Sequence, residues 1–101
     1  MPNIFEIATP LGVSVACAQG YWEYITTVKH PVMKEKEETV MDVLGDPDEV
    51  RQSRIDPDVY LYYRKLDRLF CAVAKHEGTK GFLITAYPAD KVKEGDVIWT
   101  R

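Results

Sequence analysis

The chain has 101 residues, of which 46% are hydrophobic and 29% charged; this is the size of one domain and too apolar for a disordered protein. Its net charge of −3 argues against a protein that coats nucleic acid regardless of sequence, which needs a basic excess. The longest apolar stretch, 11–18, is interrupted by Gly12 and Ser14 and falls short of the roughly 20 residues of a membrane helix. Glu6 and Pro10 break any secretory leader, so a cytoplasmic protein with no membrane partner is expected.

Taken in chain order, 4–8 and 13–18 flank Thr9-Pro10-Leu11-Gly12 and predict an N-terminal hairpin. In 21–29, Trp22, Ile25 and Val28 recur three apart, the spacing of one helical face, although Thr26-Thr27-Val28 suits a strand as well. A short helix is expected there, closed at His30 because a residue before proline avoids the α region. The clearest helix is 34–44: Met33, Val40, Met41 and Leu44 share a stripe, Lys and Glu fill the remainder, and Gly45 with Asp46-Pro47 ends it. Four runs rich in Val, Ile, Tyr and Phe follow, 49–54, 59–65, 69–75 and 81–87, with spacers short enough to demand antiparallel pairing. The ending 89–101 has no strong period, and Val97, Ile98 and Trp99 are expected to pack back on the sheet. The fold class expected is α+β, a hairpin and two helices packed on one face of a four-stranded antiparallel sheet, in a single domain over 1–101.

Cys17 and Cys71 lie in apolar stretches outside any CxxC pair, which favours core residues over a disulfide or a reactive thiol. The charge is unevenly spread. Residues 1–50 hold three Lys against nine Asp or Glu, whereas 51–80 hold seven basic residues against four acidic, so a cationic sheet joins an acidic, mainly helical half.

Alternate residues of a strand share a face. Phe82, Ile84 and Ala86 suit packing under helices, which turns Leu83, Thr85 and Tyr87 the other way. With Tyr60, Tyr62 and Arg64 in one phase of the second run, and Lys75 in phase with Cys71 and Val73, a surface of Arg51 or Arg54, Arg64, Lys75, Thr85 and Tyr87 is expected. Guanidinium, ammonium, hydroxyl and phenol groups suit a phosphodiester, and aromatic rings stack on bases; the plainer reading is a solvated sheet face. His30 and His76 have no partners at zinc-ligand spacing, and no GxGxxG, GxxxxGK[ST] or GxSxG is present. No metal or cofactor is expected, and Asp56-Pro57-Asp58 reads as turn chemistry.

The combination Trp22-x2-Ile25, His30-Pro31, Asp46-Pro47-Asp48-Glu49-Val50-Arg51-x-Ser53-Arg54-x-Asp56-Pro57-Asp58-Val59-Tyr60-Leu61-Tyr62-Tyr63, Val73-x-Lys75 and Gly81-Phe82-x-Ile84-Thr85-Ala86-Tyr87 resembles small prokaryotic and phage-associated domains. These are placed in the barnase, EndoU, colicin and RelE-like nuclease superfamily, and the likeness runs from about Ile7 to Trp99. It implies N-terminal helices on a four-stranded antiparallel sheet and metal-independent cleavage of RNA through attack of the ribose 2′-hydroxyl on the adjacent phosphate. Such chemistry needs a base, an acid and cations around phosphorus. The resemblance makes His30 the base or acid, Arg54 with Arg51 a phosphate clamp, and Thr85 and Tyr87 the pair that orients phosphate or base. Lys75 adds charge, and Arg64 and Tyr62 extend the substrate surface. RNA is the expected partner, with an antitoxin or inhibitor protein as a further one. The pattern departs at Tyr24, where a His is common. That leaves either a mechanism relying on Arg, Lys and Tyr or a non-catalytic RNA- or protein-binding domain; a structural role in a larger complex, through the aromatics of 60–63, is a third reading.

Overall fold

The turn signals at Pro10 and Gly12 do their expected work in the computed structural model, which describes residues 2–92 and 94–101. Strands β1 (Asn3–Ala8) and β2 (Ser14–Ala18) pair antiparallel, and both the amide and the hydroxyl of Thr9 donate to the Val13 carbonyl, at 2.9 and 2.8 Å. Helix α1 (Gln19–Tyr24) follows directly and widens into a π turn over Ile25–Lys29. The wide turn closes where the His30 amide donates to the Ile25 carbonyl at 2.7 Å; Pro31 then opens a 3₁₀ turn, Pro31–Met33. Helix α2 (Glu37–Gly45) begins later than its apolar stripe implied, because Met33 belongs to the preceding turn. Glu37 and Glu38 sit in its first turn, where a carboxylate favours the positive end of the helix dipole.

The remaining strands are β3 (Glu49–Gln52), β4 (Val59–Lys65), β5 (Leu69–Glu77), β6 (Lys80–Pro88) and β7 (Asp96–Thr100). They form one seven-stranded sheet in the order β1-β2-β6-β5-β4-β3-β7. This corrects the expectation of a four-stranded antiparallel sheet carrying a separate hairpin and two packed helices. The hairpin extends the sheet instead, through a parallel pairing of β2 with β6 (Ser14↔Lys80, Val15↔Gly81, Ala16↔Phe82), and 96–100 is a strand beside β3. A four-stranded sheet would have left β6 and β3 as bare edges, with unpaired N–H and C=O groups; the chain covers both with its two ends. The helices are short, and the sheet is mixed.

The core lies between the helices and one sheet face, here the inner face. Trp22, Ile25, Met33, Val40, Val43 and Leu44 meet Val15, Cys17, Val50, Tyr62, Ala72 and Leu83 there, and α2 packs across β1, β4 and β5. A smaller apolar cluster on the outer face, Leu61, Tyr63 and Cys71, is covered by Ala89 and Val92 from the connection between β6 and β7. Because β7 lies beyond β5, β4 and β3 from β6, that connection has to cross the outer face.

Asp46-Pro47-Asp48 stitches the end of α2 to the sheet. The Asp46 carboxylate holds Arg64 at 2.8 Å and Arg101 at 3.1 Å, and Asp48 accepts from the Lys65 amide at 2.7 Å. At Asp56-Pro57-Asp58 the Asp56 carboxylate accepts the Asp58 amide at 3.0 Å, the self-bonding expected of an Asx turn.

Both cysteines are free and buried, as the apolar setting of each implied. Loss of water pushes the Cys17 thiol up to about 11 and the Cys71 thiol up to about 12, and only a thiolate is an efficient nucleophile. Neither is expected to react with iodoacetamide at pH 8 in the folded protein, whereas both should react in denaturant. Labelling followed by intact-mass measurement checks this; one fast-reacting equivalent in the native state would contradict the burial.

Candidate functional site

The strand registers decide which of the chemically able side chains can meet. On the outer face, Tyr87, Cys71, Tyr63 and Glu49 form one cross-strand row, and Thr85, Val73, Leu61 and Arg51 the next. Lys75 stands on the same face opposite Val59 and Phe82. A bulge in β6 changes the parity expected there: Val73 pairs with Thr85 but Ala74 with Leu83, which leaves Ile84 as the extra residue. Leu83 and Ala86 therefore enter the core, and Phe82 is exposed.

His30 reaches this face from the side. Pairing of β2 with β6 stops at Phe82, and α1 with its π turn takes over as the neighbour of β6. The Tyr21 hydroxyl donates to the Ile84 carbonyl at 2.8 Å, and Lys29 Nζ donates to the same oxygen at 3.2 Å. One residue later the His30 ring lies beside Tyr87, with 5.4 Å between ring centroids. The structure thus joins His30 to Tyr87, and Thr85 follows on the same face. The Thr85 hydroxyl is buried and has no hydrogen-bond partner among the described residues, although buried hydroxyls are normally satisfied.

The cationic residues are placed differently. Arg51 is on the outer face, held by Glu49 at 2.8 Å and donating to the Gly95 carbonyl at 3.3 Å; three strand spacings, about 14 Å, separate it from Thr85. Arg54 lies past the end of β3, in an ion pair with Asp96 at 2.9 Å. The β6–β7 connection runs between: Glu94 lines both a cavity of about 220 Å³ with Tyr63 and Tyr87 and a second one with Arg54 and Ser53. Arg64 and Tyr62 belong to the inner face, Arg64 bound to Asp46 and Tyr62 fully buried in the core. So His30, Tyr87, Thr85 and Lys75 share one half of a face, Arg51 and Arg54 the other half, and Arg64 and Tyr62 the opposite side.

The environment keeps the phenols protonated. Tyr63 and Tyr87 flank the Cys71 thiol, and burial raises both phenols well above the ordinary value, with Cys71 and Glu94 adding in the same direction. A phenol that stays protonated at neutral pH serves as a hydrogen-bond and proton donor.

A second polar group joins Tyr62, expected on the substrate surface, to His76 and Tyr60, a meeting that the residue pattern did not announce. On the inner face of the sheet His76 Nε2 stands 2.7 Å from the Tyr62 hydroxyl, and the Tyr60 ring stacks on the imidazole at 3.9 Å and 15°. The signal available was the phase of Tyr60 and Tyr62 on one strand and His76 on the next, which needs the register to be known. Burial pushes the His76 pKa down from its ordinary 6.5, with Asp58 opposing, which favours a neutral ring hydrogen-bonded to the Tyr62 hydroxyl. The folded state binds this proton less well than the unfolded state; the stability contribution is therefore complete above about pH 6.5 and falls as the pH drops below it. Urea titrations between pH 7.5 and 5 should show this fall, and His76→Gln should flatten it. An unchanged slope in the variant would remove His76 as the cause.

Comparison of the chain with protein-family models, with curated proteins and with solved structures finds no match.

Proposed function

We propose that the chain is a metal-independent endoribonuclease, toxin-like or phage-associated, that cuts RNA by attack of a ribose 2′-hydroxyl on the adjacent phosphate. The observation that carries this reading is the meeting of His30 with Tyr87 beside the unpartnered Thr85 hydroxyl, on the sheet face turned away from the core. In this mechanism His30 takes the proton of the 2′-hydroxyl as the new O–P bond forms. Tyr87, kept protonated by burial, gives its proton to the departing 5′-oxygen as the old O–P bond breaks, and His30 returns a proton to the phenolate through water. Lys75 offsets the charge that develops on a non-bridging oxygen, and the Thr85 hydroxyl, buried without a partner among the described residues, donates to that oxygen only once a turn of its side chain exposes it. The products are a 2′,3′-cyclic phosphate and a 5′-hydroxyl.

Purified protein is expected to cut RNA in EDTA and to leave cyclic phosphate ends, read by end-group analysis on a gel. RNA that stays intact at micromolar protein would overturn the reading. A second reading, RNA or protein binding without cleavage, is favoured by the pairing of Arg54 with Asp96 away from His30 and by Tyr24. It predicts salt-dependent RNA binding with no product.

A further inference from the structure

Beyond His30, the surface around α1 carries aromatic rings and a cation that the cleavage step does not use. Where β2 and β6 part, Ala16, Cys17, Ala18, Tyr21, Phe82 and Leu83 line a mainly apolar groove of about 240 Å³. Phe82 is 43% exposed and Tyr21 37%, although neither ring is needed to close the core. Tyr24, one helical turn along, is 47% exposed and lies against Tyr21 with centroids 5.9 Å apart.

At the rim, Lys29 Nζ is 5.7 Å from the Tyr21 ring centre and 5.9 Å from that of Tyr24. It is held by the Ile84 carbonyl and the Tyr21 hydroxyl and pairs with no carboxylate among the described residues. A positioned ammonium without a counter-charge, beside aromatic walls, matches a nucleotide: the base gains a stack and the phosphate gains a cation. A purely apolar peptide would leave that charge unanswered.

We infer that the groove between β2 and β6 is a nucleobase subsite for single-stranded RNA, in which a base lies against Phe82 and Tyr21 while Lys29 meets its phosphate. The inference rests on the endoribonuclease reading for its placement, since Lys29 precedes His30 in the chain and Phe82 and Tyr87 stand on the same face of β6. It makes the substrate unpaired: stacked, paired bases of a duplex present no free face to the groove.

The test uses a 2′-O-methyl RNA decamer with one 2-aminopurine, which cannot be cut because its attacking hydroxyl is blocked. Quenching of the 2-aminopurine fluorescence on binding to the wild-type protein is expected. Phe82→Thr, a strand-compatible change at an exposed position, should weaken binding about tenfold, the loss of one aromatic stack. Phe82→Tyr should restore it, and Lys29→Gln should lower the slope of log affinity against log salt by about one. Binding by Phe82→Thr equal to wild type, or quenching by a duplex as strong as by the single strand, would overturn the subsite. Quenched binding in wild type, lost in Phe82→Thr, with no cleavage of ordinary RNA would leave the subsite standing and remove the nuclease; cleavage that is indifferent to Phe82→Thr would do the reverse.

Discussion

His30→Ala is expected to slow RNA cleavage by about 10²- to 10⁴-fold, the range for removal of a positioned general base. The argument is geometric first. Of the two histidines, His76 is engaged by Tyr60 and Tyr62, whereas His30 lies at the rim of the outer face beside Tyr87. The substitution removes a half-buried ring after a completed helical turn, so the melting temperature should move little, and a circular dichroism melt separates lost chemistry from lost fold. Tyr87→Phe keeps the ring and removes only the proton donor; a loss of about 10²-fold is expected, comparable to deletion of one transition-state hydrogen-bond donor. Arg54→Ala is expected to cost less than tenfold, because Asp96 holds the guanidinium on the far side of the β6–β7 connection. Wild-type rates in His30→Ala would sink the assignment of His30, whatever the other variants do.

Gly95→Ala is expected to destabilise the fold by about 3 kcal/mol, the upper part of the range for forced left-handed backbone. Two costs coincide there. Gly95 has φ +81, and a Cβ on it would stand 2.5 Å from the Gln52 carbonyl oxygen, a backbone atom of β3 that cannot swing aside. The connection that crosses the outer face docks at this point, since Arg51 donates to the Gly95 carbonyl and β7 begins at the next residue. Gly78→Ala is the control: its φ is +67 but nothing lies within 4 Å of the added carbon, so a cost nearer 1 kcal/mol is expected. Urea unfolding of both variants gives the comparison, and equal midpoints would mean that the crossing is not seated as described.

The parts legible in the sequence were those governed by near neighbours. Tight spacers and period-two runs fixed 59–65, 69–75 and 81–87 as an antiparallel meander, and proline and glycine marked the hairpin and both helix ends. Three things were not legible. The β2–β6 joint pairs Ser14 with Lys80, and no local pattern encodes a partner so distant. Residues 96–100 read as an ending because the short apolar run Val97-Ile98-Trp99 becomes a strand only when the edge of β3 is there to receive it. The bulge at Ile84 inverts the phase of Phe82 and Leu83 without any glycine to announce it. For the site, Lys75, Thr85 and Tyr87 were correctly placed on a common face. Tyr62 and Arg64 were not, because their strand turns Tyr60 and Tyr62 toward the helices and Leu61 and Tyr63 toward the outer face, the reverse of what polarity suggests for Leu61 and Tyr62. The separation of Arg51 and Arg54 from His30 follows from β3 lying three strands away from β6, an order that no local pattern encodes.

The three-residue parallel joint between β2 and β6 also bears on the order in which the molecule assembles. Contacts within the β4–β5–β6 meander close short loops, whereas the joint closes one of more than sixty residues, and loop entropy must be met before such contacts return anything. The meander is thus the natural nucleus, and the N-terminal hairpin docks onto it late. The same asymmetry carries an expectation for the folded state: the hairpin with α1 should open before the meander, so that amides of 3–30 exchange with solvent faster than those of 59–88, and His30 is the one residue of the proposed RNA face that belongs to the looser part.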